Sequence, residues 1–279
     1  MLFRSVPSVE HAADPVQMQA LMLEEWIARR ISNPHVLNAP PIRAERRHAY
    51  AVTEYAEGQP LDIWMHDHPR ADLIAVRMIL GQIAKGLQAL HRREVLHRDL
   101  RPRNIIVDAH DTVKIIDFGS AQVAGLDDVR PPMLDAAYAG TMQYSAPELY
   151  LGQPASRRSD IFSLGVIAYQ MLTGALPYGP RVAAAATPAA QRKLFYTPAS
   201  AINPDVPEWV DAAIAKAVMI DPARRYEELS EFIYDLSHPN GALTAGDPRP
   251  LLQRRPERLW QAISALLSAA LLFMLWSRA

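Results

Sequence analysis

One stretch near the middle of the chain, VLHRDLRPRNIIVDAHDTVKIIDFG from Val95 to Gly119, restricts the possible folds more than any other. Ile105 to Val107 and Val113 to Ile116 are runs rich in β-branched residues, and Asp108-Ala109-His110-Asp111 between them supplies a turn. Val95-Leu96 leads into the polar loop His97 to Asn104, and Asp117-Phe118-Gly119 closes the stretch. The whole reads as two short hairpin-like pieces with polar residues at their mouths. Asp99, Asn104 and Asp117 therefore project from the ends of adjoining strands. A plain connecting loop rarely sets acidic and amide side chains beside hydrophobic runs in this way.

Those residues resemble the catalytic core of protein kinases, whose catalytic loop reads H-R-D-L-x-x-x-N and whose metal-binding turn reads D-F-G. Here the loop is His97, Arg98, Asp99, Leu100 and Asn104, and the turn is Asp117, Phe118 and Gly119. The resemblance implies an α+β protein kinase-like two-lobed fold, with a mainly helical large lobe and a small β-containing lobe. It implies ATP and Mg²⁺ as cofactors and a protein hydroxyl as acceptor. Asp99 would accept the hydroxyl's proton, while Asn104 and Asp117 are hard oxygen ligands suited to Mg²⁺. Arg101 stands where serine/threonine kinases carry a lysine that touches the γ-phosphate, and Arg101-Pro102 resembles that branch rather than the tyrosine one. His97 and Phe118 read as packing residues of the core.

Further motifs extend the likeness. Asp14-Pro15 opens a helix to about Ile31, with Leu21, Glu24, Ala28 and Ile31 along one face. Glu25 falls off that face, free to pair outward with Arg29 four residues on. Glu24 stands where kinases carry a glutamate that pairs with a strand lysine, ahead of the turn Asn33-Pro34-His35. The basic residue upstream is Arg4, in a segment that could end a strand. The kinase Gly-rich loop and its two strands would precede this point, so the small lobe reads as truncated. His48 to Tyr55 reads as the strand into the hinge, with Thr53 as gatekeeper and main-chain groups of Glu54 and Ala56 toward the adenine. Ile106, on the run after the catalytic loop, joins the nucleotide-contacting set.

Downstream, Asp72 to His91 is a helix with Val76, Ile79, Leu80, Ile83, Leu87 and Leu90 on one side, packed under the catalytic loop. After Gly119 comes a segment resembling the activation loop, closed by Ala146-Pro147-Glu148, with Gly140-Thr141 and Tyr144 in the part that receives substrate. Between Ser120 and Thr141 it holds no serine or threonine. Tyr138 and Thr141 are the nearest acceptors, which favours constitutive positioning over a phosphorylation switch. Arg158-Ser159-Asp160 caps an apolar helix ending at Gly174, and the resemblance gives Asp160 the task of holding the catalytic-loop backbone. An ordinary N-cap is the alternative role. Residues 181 to 197 read as a loop with a short helix, and Glu208 to Met219 as a helix. Asp221-Pro222-Ala223-Arg224-Arg225 resembles the family's D-P-x-x-R motif, which implies that Arg225 pairs with Glu148. Tyr226 to Leu236 completes the lobe.

The C-terminus is of another kind. Leu259 to Trp276 carries no charge, and as a helix it spans about 27 Å, near the thickness of a bilayer's hydrocarbon core. Trp260 and Trp276 sit near its ends, and Arg249, Arg254, Arg255 and Arg258 precede it. The expectation is a single-pass C-terminal membrane anchor with the kinase domain in the cytoplasm; a buried amphiphilic helix is the alternative. A net charge of −1 gives no reason to expect nucleic acid as a partner, and the absence of cysteine excludes disulfides and thiolate chemistry. The N-terminal residues lack the apolar core of a signal peptide.

The expected organisation is thus 1–56 as a truncated small lobe, 57–237 as the large lobe, 238–258 as a linker and 259–276 as a transmembrane helix. The wider pattern is similar to the kinase half of bacterial phosphatase–kinase fusion proteins. The activity implied is transfer of the γ-phosphate of ATP to a serine or threonine of a protein substrate. Two rivals stay open: a pseudokinase acting as a membrane-anchored binding module, and a fragment of a longer phosphatase–kinase enzyme.

Overall fold

The computed structural model describes residues 2–6, 14–41, 50–69, 71–125, 142–245 and 264. The chain divides into two compact units, Met1–Asn240 and Gly241–Ala279.

The first unit begins with β1 (Leu2–Ser5) and α1 (Pro15–Arg30), followed by β2 (Ala51–Glu54), which pairs antiparallel with β1 so that Arg4 lies opposite Val52. Asp14 caps α1 by accepting from the Val16 amide at 2.9 Å, and Pro15 opens the helix where a missing N–H costs nothing. Ala28 and Ile31 are buried as the apolar stripe predicts. Glu25 departs from expectation. It is only 2% exposed rather than outward-facing, because α1 packs on β2 with Glu25, Ile27 and Ala28 on its buried side. Arg29, one turn on, neutralises it at 2.9 Å and keeps its own head in partial contact with water.

The segment after α1 lies along the next sheet. His35 O accepts from the Ile115 amide at 2.9 Å, and the Leu37 amide donates back to Ile115 O at 2.9 Å. That sheet has the order β3 (Gln59–Pro60), β5 (Ile105–Val107), β6 (Val113–Ile115), all antiparallel. Gly58, with φ +120, brings the chain so close to β5 that an added Cβ would collide with Val107 O. The β5–β6 hairpin forms as expected, its turn tied by Asp108, which accepts from the His110 and Thr112 amides. The other hairpin-like piece does not. β4 (Val95–Leu96) pairs instead with β7 (Gln122–Val123), a strand beyond the Asp117 turn. Two residues bury too little to make a hairpin of their own, so β4 takes its partner from further along the chain.

Helices supply the rest. α2 (Leu61–Asp67) precedes α3 (Leu73–His91), whose cap is Asp72 and whose six expected stripe residues are all buried. Burying side chains of this size contributes on the order of 1.5–3 kcal/mol each. α3 is also long and apolar enough, by length and composition alone, to cross a membrane, with a mean hydropathy of 1.3. Its packing against α4 (Arg157–Thr173) and α8 (Leu229–Ser237) makes it a core helix. α4 is apolar nearly all round and buried nearly all round, which is what a central helix requires. Its start is earlier than expected: Ser156 is the cap, reciprocally bonded with Ser159, which leaves Asp160 inside the first turn. Gly174, at φ +70, ends it.

Short α5 (Pro188–Gln191) and α6 (Ala199–Ile202) lead to α7 (Glu208–Ala217), which packs on α4 and α8. The fully buried Asp211 of α7 accepts from the Ala199 and Ser200 amides, the Ser200 hydroxyl and the Tyr196 hydroxyl, so a single carboxylate fixes the entry to α6. The expected linker 238–258 contains a further short helix, α9 (Gly241–Ala245), in the second unit. The expected membrane span 259–276 lies outside the described residues, apart from Ser264, which is helical.

Candidate active site

The site is built from the bottom by a carboxylate that never reaches it. Asp160, in the first turn of α4, is 1% exposed and accepts from the His97 amide at 3.1 Å, the Arg98 amide at 3.0 Å and His91 Nε2 at 2.7 Å. Burial alone would push its carboxyl up, but these donors outweigh it and hold the pKa below the ordinary carboxylate value. Arg98 adopts φ +66, a region non-glycine residues rarely enter, and Asp160 receives the amide of that strained residue.

Asp99 and Leu100 follow, and Leu100 is buried as the loop's anchor. The Arg101 Nε lies 3.6 Å from Asp99 Oδ2. A single 3-10 turn, Pro102–Asn104, returns Asn104 to the loop, where Nδ2 donates to Asp99 O at 2.8 Å and to Asp99 Oδ2 at 3.2 Å. With its nitrogen so used, the Asn104 amide has its oxygen to offer elsewhere. The Ile116 amide donates to Asn104 O at 2.9 Å, which ties the end of β6 to the loop and sets Asp117 beside it. Asp117 itself adopts φ +64, and its Oδ1 accepts from the Gly119 amide at 3.3 Å. Under this turn Phe118 and His97 meet edge to face, with ring centroids 5.7 Å apart, and both are fully buried packing residues.

Electrostatics join α1 to the same place. Burial pushes Glu24 up to about 7, with the Asp117 charge adding to it. Burial likewise pushes Asp99 up, opposed by Arg101 and His97 and reinforced by Asp117. Asp117 thus lies within electrostatic reach of both Glu24 and Asp99, and like charges so placed favour a cation between them. No group of three or more His, Cys, Asp and Glu side chains suited to a metal is present among the described residues. The donors that are present, one carboxylate and one amide oxygen, fit Mg²⁺, which usually keeps waters and takes phosphate oxygens for the remainder of its shell.

Asp99, Arg101, Asn104, Asp117 and Glu24 therefore gather in one neighbourhood. The other expected contacts lie on adjoining strands. Arg4 is in β1 opposite Val52, and Ile106 is half-buried in β5 opposite Lys114 and Pro60. Glu54 ends β2, with Oε1 accepting from the Asn38 amide at 2.8 Å and from Lys114 Nζ at 2.6 Å; the half-buried Ala56 lies two residues on. The carboxylate of Glu54 is thereby taken, and its main-chain amide donates to Asn38 O at 2.8 Å. Tyr138 and Thr141 lie outside the described residues.

Several contributors lie outside the motifs. Lys114 holds Glu54, His91 shares Asp160, and Arg103 in the 3-10 turn pairs with Asp62 of α2 at 3.0 Å. The second arginine of RPRN was the available signal for the last of these.

A family model described as protein kinase domain matches residues 7–239. The chain is 33% identical over 223 residues to serine/threonine-protein kinase Pkn1 of Myxococcus xanthus, covering 78% of this chain and 31% of that one. It is 32% identical over 244 residues to the probable serine/threonine-protein kinase PknB of Bifidobacterium longum, covering 83% and 35%. It is 30% identical over 256 residues to serine/threonine-protein kinase PknA of Mycobacterium tuberculosis, covering 89% and 57%. The chain therefore spans between about a third and somewhat over half of the length of these relatives.

Proposed function

The chain belongs to the protein kinase family, and from that premise we propose that it transfers the γ-phosphate of ATP to a serine or threonine hydroxyl of a protein. The observation that carries the reading is the convergence of Asp99, Asn104 and Asp117, with Asn104 bonded to Asp99 and its carbonyl bonded to the residue before Asp117. Asp99 accepts the proton of the attacking hydroxyl, and its burial makes the carboxylate a better base. Asn104 fixes the orientation of Asp99 through Nδ2. Arg101 balances the base and offers positive charge to the phosphate in flight. Mg²⁺, bound by Asp117 and Asn104, would neutralise the phosphate oxygens. Main-chain groups of Glu54 and Ala56 would receive the adenine, with Ile106 against the base and Arg4 and Glu24 on the phosphate side.

The test is direct. ATP with Mg²⁺ is expected to raise the melting temperature, and labelled γ-phosphate is expected to pass to protein. Stabilisation without transfer would identify a nucleotide-binding pseudokinase, and neither effect would sink the reading altogether.

We assign 1–56 and 57–237 to small and large lobes, 238–258 to a linker and 259–276 to a membrane anchor with the kinase domain on the cytoplasmic side. The anchor reading rests on the uncharged run between Leu259 and Trp276 and on the arginines before it. Resistance of the membrane-bound chain to alkaline carbonate extraction, lost on deletion of 259–276, is the expected result.

A further inference from the structure

We infer that the rim formed by Arg103 and Asp62 selects protein substrates carrying an anionic side chain close to the acceptor hydroxyl. The inference rests on the kinase reading above, since it takes Asp99 as the point the hydroxyl must reach. In the Pro102–Asn104 turn, Asn104 is buried toward Asp99 while Arg103 faces outward, its side chain 74% exposed. Its Nε donates to Asp62 Oδ2 at 3.0 Å, an Asp side chain only 32% exposed. Asp62 is in the first turn of α2, and its other oxygen accepts from the Ile63 amide at 3.1 Å. The carboxylate is thus held by its own helix, while the arginine fork presents its remaining donors to solvent.

Tyr144 completes the rim. It belongs to the segment leading into Ala146-Pro147-Glu148, and it lies within electrostatic reach of Asp62, Arg101 and Arg103. Its hydroxyl donates to Gln170 Oε1 at 2.6 Å, which fixes the ring in place. Asn104, the residue next to Arg103, touches Asp99 Oδ2 at 3.2 Å, and an extended substrate peptide advances roughly 3.3–3.6 Å per residue. An anionic side chain about two to four residues from the hydroxyl can therefore meet the fork. Arg101 lies against Asp99 with its side chain 25% exposed, whereas the more open Arg103 presents most of its guanidinium to an arriving peptide. Asp62 occupies the fork as a stand-in, and exposed pairs of this kind are weak enough to be exchanged. Carboxylate and phosphate both match a planar guanidinium, so the shared chemistry is an anion with two or more coplanar or near-coplanar oxygens.

The full chain in detergent is given serine peptides that are neutral or carry one glutamate, one phosphoserine or one lysine, two to four residues to either side of the acceptor. Glutamate and phosphoserine peptides are expected to exceed the neutral peptide in kcat/KM by about tenfold, mainly through KM, and less so at high salt. A larger gain for one of the two names the natural anion. Arg103→Ala is expected to abolish the preference, so that within that variant anionic and neutral peptides share one kcat/KM, and Arg103→Glu to turn it toward lysine. Asp62→Ala is expected to lower KM for the anionic peptides, because their competitor is gone. An anionic peptide no better than the neutral one, or a preference that survives Arg103→Ala, would overturn the inference. Fluorescence anisotropy of the same peptides reads the rim without any transfer. Preferential anionic binding without phosphorylation would strike the kinase reading and leave the rim standing, whereas phosphorylation without preference would do the reverse.

Discussion

Arg225 lays its guanidinium flat against Glu148, with Nη1 2.8 Å from Oε1 and Nη2 2.6 Å from Oε2, although the two residues stand 77 positions apart. Both side chains are almost wholly removed from water, at 0% and 3% exposure. Ser159 donates to the same Glu148 oxygen at 2.8 Å, and Arg225 also donates to the carbonyls of Met219, Ile220 and Arg158. The pair therefore ties the end of the activation segment to the start of α4 and to the turn before α8.

Removing one partner is costlier than removing both. Arg225→Ala or Glu148→Ala strands a buried charge, and each is expected to lower unfolding free energy by about 3–5 kcal/mol. Replacement of both by apolar residues of similar volume should cost clearly less than the sum. Urea unfolding of the two single variants and the double variant measures this, and simple additivity would contradict the coupling.

Asp99→Asn removes the proposed base while keeping size and one acceptor. Transfer of labelled phosphate should fall by about 100- to 10,000-fold, with ATP-dependent stabilisation in Mg²⁺ retained. A variant that transfers at the parental rate would remove Asp99 from the mechanism.

Asp160 is expected to act on the proposed transfer through the loop backbone it holds. Asp160→Asn withdraws the charge that draws in the His97 and Arg98 amides, and the strained Arg98 is then free to relax. We expect kcat to drop by about 10- to 100-fold with little change in KM for ATP, since misplacement by even an ångström disturbs transfer more than binding. Equal losses in both parameters would point to general unfolding instead.

Glu24 gives the fold a pH dependence of definite sign. Unfolded, it titrates at the ordinary 4.5; folded, burial first and the Asp117 charge second carry it to about 7. The folded protein therefore holds more protons across that window. Its contribution to stability is complete below 4.5 and lost as pH rises through about 7. The melting temperature should decline over that range, and Glu24→Gln should flatten the decline. A parental and a variant curve of the same slope would exclude Glu24 as the titrating group.

Much of this was legible beforehand where the signal is local. Asp72, the stripe on α3 and Gly174 announce helix ends and faces by chemistry within one or two turns. The loop around Asp99 and the turn at Asp117 are legible because they are spelled out consecutively. What escaped depends on partners distant in sequence. Two residues at Val95 carry no hint that Gln122 and Val123 will lie beside them. The burial of Glu25 is not legible locally, because an acidic side chain reads as exposed until the packing of α1 on β2 is known. Ser156 is the cap in place of Asp160, because a serine box that begins four residues upstream is a weaker signal in the sequence than the acid itself. Arg103 and Asp62 meet only because α2 is folded against the 3-10 turn.

The arrangement at Asp160 bears on timing. Two peptide groups of the loop are clasped by the first turn of the protein's central helix, so the ordering of that loop is accomplished as the chain folds. Whatever meets that loop later finds its backbone already set, with no ordering left to be done on arrival.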